Sequence, residues 1–135
     1  MSDKNETELS NTLEDEHNFA AMRAGGSGGG TDRARPDVFA SKDPHDLEDW
    51  PTILCFEVKG WNDRTGYASK EEIRALQSFS TRAGGRAVLA VSPDFRVYDR
   101  WHFFYPHTLR TTENSYVVDE DALPGLTLEE LIADG

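Results

Sequence analysis

Cysteine occurs once in the 135 residues, at Cys55, so no intrachain disulfide can staple the fold. Its place in the apolar run Ile53-Leu54-Cys55-Phe56 marks a buried structural thiol rather than a nucleophile. Long hydrophobic runs are also missing. Nothing approaches the roughly 20 apolar residues of a transmembrane helix, and Met1-Ser2-Asp3-Lys4-Asn5 lacks a signal-peptide core. The expectation is a soluble cytoplasmic protein with no membrane partner. A chain of this length forms one domain, 1–135, with core enough to fold without cross-links.

Basic residues are the other shortage. Lys and Arg number 14 against 25 Asp and Glu, for a net charge of -11, which at first argues against a nucleic-acid partner. The charge is unevenly spread, however. Residues 1–50 carry 12 acidic and 5 basic side chains, and residues 112–135 carry 7 acidic and none basic. Residues 51–111 reverse the balance, with 6 acidic and 9 basic. Acidity outside that segment suits a solvated shell, as in proteins adapted to high salt, where screening makes self-repulsion tolerable. The four histidines lack metal-ligand spacing, which disfavours zinc.

Leu9 and Leu13, spaced i,i+4 after Glu6-Thr7-Glu8, predict an opening helix that ends at His17-Asn18. Phe19-Ala20-Ala21-Met22-Arg23 reads as a short strand. The glycine-rich stretch after it, within a loop spanning 25–35, is not a P-loop: it has no Gly-Lys-Ser/Thr ending and no helix directly behind it. Asp37 to Ala40 predicts a second strand, 41–51 a long connection, and Thr52 to Lys59 a central strand. Residues 60–68 read as a loop. Ser69 and Glu72 form a capping box for a helix with Ile73, Leu76 and Phe79 on its apolar stripe, stopped by Gly84-Gly85. Apolar strands follow at 87–91 and 100–105. This order predicts an α/β fold with a central mixed five-stranded sheet flanked by helices.

The chemistry resides in Pro36-Asp37 and Glu57-Val58-Lys59. Side chains alternate along a strand, so Glu57 and Lys59 share one face while Phe56 and Val58 take the other. A carboxylate and an ammonium at the end of a buried strand, with Asp37 alongside, form a minimal magnesium phosphodiesterase site. Alone, Asp37 fits a turn after proline, and Glu57 with Lys59 fits a surface ion pair. Together they favour a metal site.

In this layout the chain resembles the archaeal Holliday junction resolvases of the PD-(D/E)xK nuclease superfamily, over nearly its whole length. Glu6-Thr7-Glu8-Leu9 is similar to the family's E-R-E-L helix, and Phe19 to Ala24 to its F-A-V-x-R-A strand. Pro36-Asp37-Val38 and Phe56-Glu57-Val58-Lys59 match its catalytic strands. Phe79 with Gly84-Gly85 resembles F-x-x-x-x-G-G, Leu109 to Asp119 its L-R-x-T-x-x-x-Y-x-x-D tail, and Gly125 to Leu131 its closing G-L-x-L-E-x-L.

The resemblance implies a restriction-endonuclease-like core and a homodimer that resolves four-way junction DNA by paired nicking in recombination and repair. It implies Mg2+, with Mn2+ as a substitute. Glu6, Asp37 and Glu57 would be metal-binding carboxylates, with the Val58 carbonyl as a further ligand. Lys59 would position water or stabilise the transition state, and Ser27 would act from the glycine-rich loop. Arg23, Phe79 and Arg82 would meet DNA or the dimer interface. The chain departs from the family pattern at Thr7, which replaces an arginine, and at Ala83, which replaces an aromatic. One extra residue lies between Leu13 and Phe19, so Glu8 is an alternative to Glu6, which is preferred because the match through Leu13 is ungapped. A halophilic archaeon or its virus is the expected source. Another nuclease of the superfamily, or a catalytically silent junction-binding module, is the competing reading.

Overall fold

Strand β3, Thr52–Lys59, is the spine of the structure. Its alternation sends Leu54, Phe56 and Val58 into one core and Cys55, Glu57 and Lys59 toward the other face. The computed structural model describes residues 2–24, 35–43, 51–61, 65–93 and 100–134. In chain order, β3 is preceded by α1 (Ser2–His17), β1 (Ala20–Arg23) and β2 (Val38–Lys42). It is followed by β4 (Gly66–Ser69), α2 (Lys70–Ala83), β5 (Arg86–Val91) and β6 (His102–Phe104). Two short strands, β7 (Arg110–Thr111) and β8 (Ser115–Val118), and a terminal helix, α3 (Leu128–Ala133), complete the chain.

The central sheet runs β1-β2-β3-β5-β6. Only the β3–β5 pair is parallel, with Phe56 opposite Val88 and Lys59 opposite Val91, and the other neighbours are antiparallel. The expected mixed five-stranded sheet is therefore present. On one face Leu9 and Leu13 of α1 pack with Val38, Ala40, Phe56, Val58, Val88 and Phe103. On the other, Ile73 of α2 packs with Leu89 and Val91. Cys55 is fully buried, as its apolar neighbours predict.

Local signals set the helix ends. Asn18, at φ 60°, terminates α1 in the left-handed region that asparagine tolerates. Ser69 and Glu72 make the reciprocal capping box of α2, and Gly84 at φ 77° closes it.

Two features depart from the sequence expectation. Residues 66–69, read as loop, form β4, which joins β8 and β7 in a separate three-stranded sheet. The terminal residues also form α3, capped by Thr127 and Glu130. Strand β4 holds four residues and starts at a glycine, too short for a period-2 pattern to show. That glycine is required, because the Trp61 ring occupies the space a Cβ at Gly66 would take. Among the described residues, no helix is long and apolar enough to cross a membrane.

Candidate active site

Asp37, Glu57, Lys59 and Glu72 meet where β2 begins and β3 ends. Asp37 stands one residue before β2, and its backbone N–H donates to the Phe56 carbonyl at 2.8 Å. Its carboxylate Oδ2 accepts from the Val58 N–H, also at 2.8 Å. Backbone and side chain together pin Asp37 beside Glu57.

Lys59 extends from the same face of β3 as Glu57. Its Nζ lies 3.7 Å from Glu57 Oε2 and 3.1 and 3.0 Å from Glu72 Oε1 and Oε2. The Glu57 side chain is 15% exposed and that of Lys59 20%, so these charges interact in a partly desolvated setting.

Three carboxylates around one ammonium leave an excess of negative charge. Burial, then the neighbouring Asp37, pushes the Glu57 carboxyl up to about 8 despite Lys59. Asp37 is also raised, chiefly by burial, with the Val58 N–H and Lys59 opposing it. For Glu72, burial acts upward but the Lys59 hydrogen bonds and charge outweigh it, so its carboxyl falls below the ordinary value. Glu57, a buried acid that holds its proton at neutral pH, thus stands beside a second acid that is also raised.

A family model described as archaeal Holliday junction resolvase (Hjc) matches residues 2–135. The chain belongs to that family. The crossover junction endodeoxyribonuclease Hjc of Methanocaldococcus jannaschii is 33% identical over 115 residues, which cover 85% of this chain and 73% of that protein. The structure of Archaeoglobus fulgidus Hjc, a Holliday junction resolvase from an archaeal hyperthermophile, superposes with a TM-score of 0.80 at 30% identity. That match covers 96% of this chain and 98% of the other.

Of the residues the resolvase resemblance singles out, Asp37, Glu57 and Lys59 converge, and Val58 contributes its N–H to Asp37. Glu6 is buried on α1 and pairs with Arg23 of β1, Nε to Oε1 3.8 Å, whereas Glu8 faces outward. The inward position falls to Glu6. Arg23 is opposite Val38 in the β1–β2 register, next to Asp37. Phe79 and Arg82 lie toward the C-terminal end of α2, roughly 10 and 15 Å along the helix from Glu72. There the Phe79 ring meets Phe39 edge-on at 6.2 Å and Arg82 covers it at 5.8 Å. Ser27 lies outside the described residues.

The residue that sequence reasoning missed is Glu72. Its capping-box role is legible and correct, but the same carboxylate is also the close partner of Lys59. The available signal was that the helix after an E-x-K strand packs on the face to which that lysine points.

Proposed function

We propose that this chain is a structure-selective endonuclease that resolves four-way DNA junctions by metal-dependent paired nicking, acting as a homodimer. The observation that carries the reading is the convergence of Asp37 and Glu57 beside Lys59, with Asp37 held by the Val58 N–H. Family membership supports the substrate class.

The donor set suits a hard divalent cation. Both acids supply oxygen, and a dication offsets the burial, joined at Glu57 by the charge of Asp37, that raises their protonation. Among the described residues, no group of three or more His, Cys, Asp or Glu side chains is arranged to hold a metal ion by itself. Magnesium commonly uses one or two carboxylates, with water and phosphate oxygens completing its shell. Asp37 and Glu57 would hold it, with the Val58 carbonyl as a further ligand and Mn2+ as a substitute. Glu6, whose carboxylate pairs with Arg23, is the third acid of this reading. When bound, the cation supplies Lewis acidity at the phosphate and lowers the pKa of a water.

The protein's own groups do the rest. Lys59 places its ammonium beside Glu57, where it can orient the attacking water or offset charge developing on the phosphate oxygens. Arg23 would neutralise a backbone phosphate next to the acids, and Ser27 keeps the role at the scissile region that the family resemblance implies. Phe79 and Arg82 present an aromatic face under a guanidinium, suited to a junction arm or the partner protomer. Contacts of this kind read backbone geometry rather than base sequence, which fits a junction substrate.

The test offers the purified protein a synthetic four-way junction, a linear duplex and single strands, with magnesium at several salt concentrations. Symmetric paired nicks confined to the junction are expected. Equal cutting of linear duplex would indicate a less selective nuclease, and binding without cutting a silent module. Either result would displace this reading.

A further inference from the structure

A capping box needs only an acceptor at its third helical position, and glutamine serves as well as glutamate. In α2 that position is Glu72, which does more than cap. Its Oε1 accepts from the Ser69 N–H at 3.3 Å while both oxygens face the Lys59 ammonium at 3.1 and 3.0 Å. The ammonium thus sits closer to Glu72 than to Glu57, 3.7 Å away. The contact joins a strand end to a helix start, 13 positions apart in the chain.

We propose that Glu72, in the first turn of α2, is a positioning residue for the catalytic lysine, Lys59. The inference rests on the endonuclease reading above. A lysine side chain is long and flexible, and an ammonium beside two acids has several places to go. If Asp37 and Glu57 are taken by a divalent cation, Glu72 is the carboxylate left to hold Lys59. It suits that task because the Ser69 backbone N–H, a donor that needs no side chain at that position, holds Glu72 Oε1 at 3.3 Å. A negative side chain is also favoured in the first turn of a helix. Placing the ammonium before substrate arrives is pre-organisation, and small displacements of such groups cost large factors in rate.

Two substitutions separate the roles. Glu72→Gln keeps the cap and removes the ion pair. Ser69→Ala removes the acceptor for the Glu72 N–H and leaves the ion pair in place. In single-turnover cleavage of a four-way junction with magnesium, Glu72→Gln should slow the step by about 10–100-fold. Its junction Kd should stay within about twofold, because no phosphate contact is lost. Glu72→Asp, which keeps the charge but retracts it, should be intermediate. Ser69→Ala should melt about 3–5 °C lower yet cut at the wild-type rate.

A readout independent of turnover is competitive acylation of lysines followed by mass spectrometry. Lys59 should react several-fold faster in Glu72→Gln and unchanged in Ser69→Ala. Wild-type cleavage by Glu72→Gln, or equal slowing by Glu72→Gln and Ser69→Ala, would overturn the proposal, as would unchanged Lys59 reactivity. A wild-type protein that leaves junctions uncut would instead defeat the endonuclease reading, and the acylation arm would still test the Glu72–Lys59 pair.

Discussion

Asp37 and Val58 are 21 residues apart in sequence, yet the Asp37 carboxylate accepts the Val58 backbone N–H at 2.8 Å. This bond fixes an acid from the start of β2 against the end of β3, so the two strands share one corner. Asparagine can accept the same hydrogen bond through its amide oxygen. Asp37→Asn should therefore keep the fold while removing a charge that the proposed cation site requires. Junction cleavage should fall at least about 10³-fold. Junction affinity should hold or rise, since one fewer negative charge faces the phosphates. Gel-shift and cleavage assays on the same preparation check both, and retained cleavage would remove Asp37 from the site.

Glu57 links the site to pH. Its carboxyl is raised from the ordinary 4.5 to about 8, first by burial and then by Asp37. A raised folded-state value means that the native protein holds a proton the unfolded chain has released. Without metal, stability should therefore fall as pH rises from about 4.5 toward about 8 and level off above it. Glu57→Gln should flatten that slope. In the proposed reading magnesium displaces the same proton, so its affinity should rise by up to about tenfold per pH unit below that value. Calorimetry in buffers of different ionisation enthalpy should detect the released proton. A pH-independent magnesium affinity would contradict the assignment of Glu57 as a ligand.

Much of this was legible in the sequence because each signal is short and local. The alternation of Thr52–Lys59 predicted that Glu57 and Lys59 share a face, and the structure places both toward α2. The capping box and the double glycine predicted both ends of α2. What escaped depends on tertiary contact. Strand β4 exists because β8 pairs with it, Tyr67 opposite Val117, and its own four residues carry little pattern. Glu72 escaped because one carboxylate makes a local bond to Ser69 and a distant one to Lys59, and only the local bond has a sequence signature. The pairing of Glu6 with Arg23 likewise joins α1 to β1 in a way that spacing alone does not reveal.

The double glycine that ends α2 makes two different demands. Gly84 has φ 77° with nothing near its missing Cβ, so Gly84→Ala should cost only the left-handed backbone term, about 1 kcal/mol. At Gly85, a Cβ would lie 2.5 Å from Ile53 Cγ2 and 2.8 Å from the Ile53 carbonyl oxygen. The backbone of β3 cannot withdraw easily, so Gly85→Ala should cost more, roughly 2–4 kcal/mol. Denaturant melts of the two single variants rank them, and the reverse order would mean that α2 does not close onto β3 as described.

Salt should act on the fold and on DNA binding in opposite directions. With a net charge of -11, and its acidic excess in residues 1–50 and 112–135, the folded chain repels itself at low ionic strength. At 0.15 M salt the screening length is about 8 Å, and near 1 M it is about 3 Å. Thermal stability should therefore rise by several degrees between dilute buffer and molar potassium chloride. The phosphate contacts proposed for Arg23 should weaken over the same range as counterion release loses its driving force. Cleavage at saturating protein should persist into molar salt, while the protein concentration needed for saturation climbs. A melting temperature that falls with salt would show that acidity is not what limits this fold, and would remove the argument for a halophilic source.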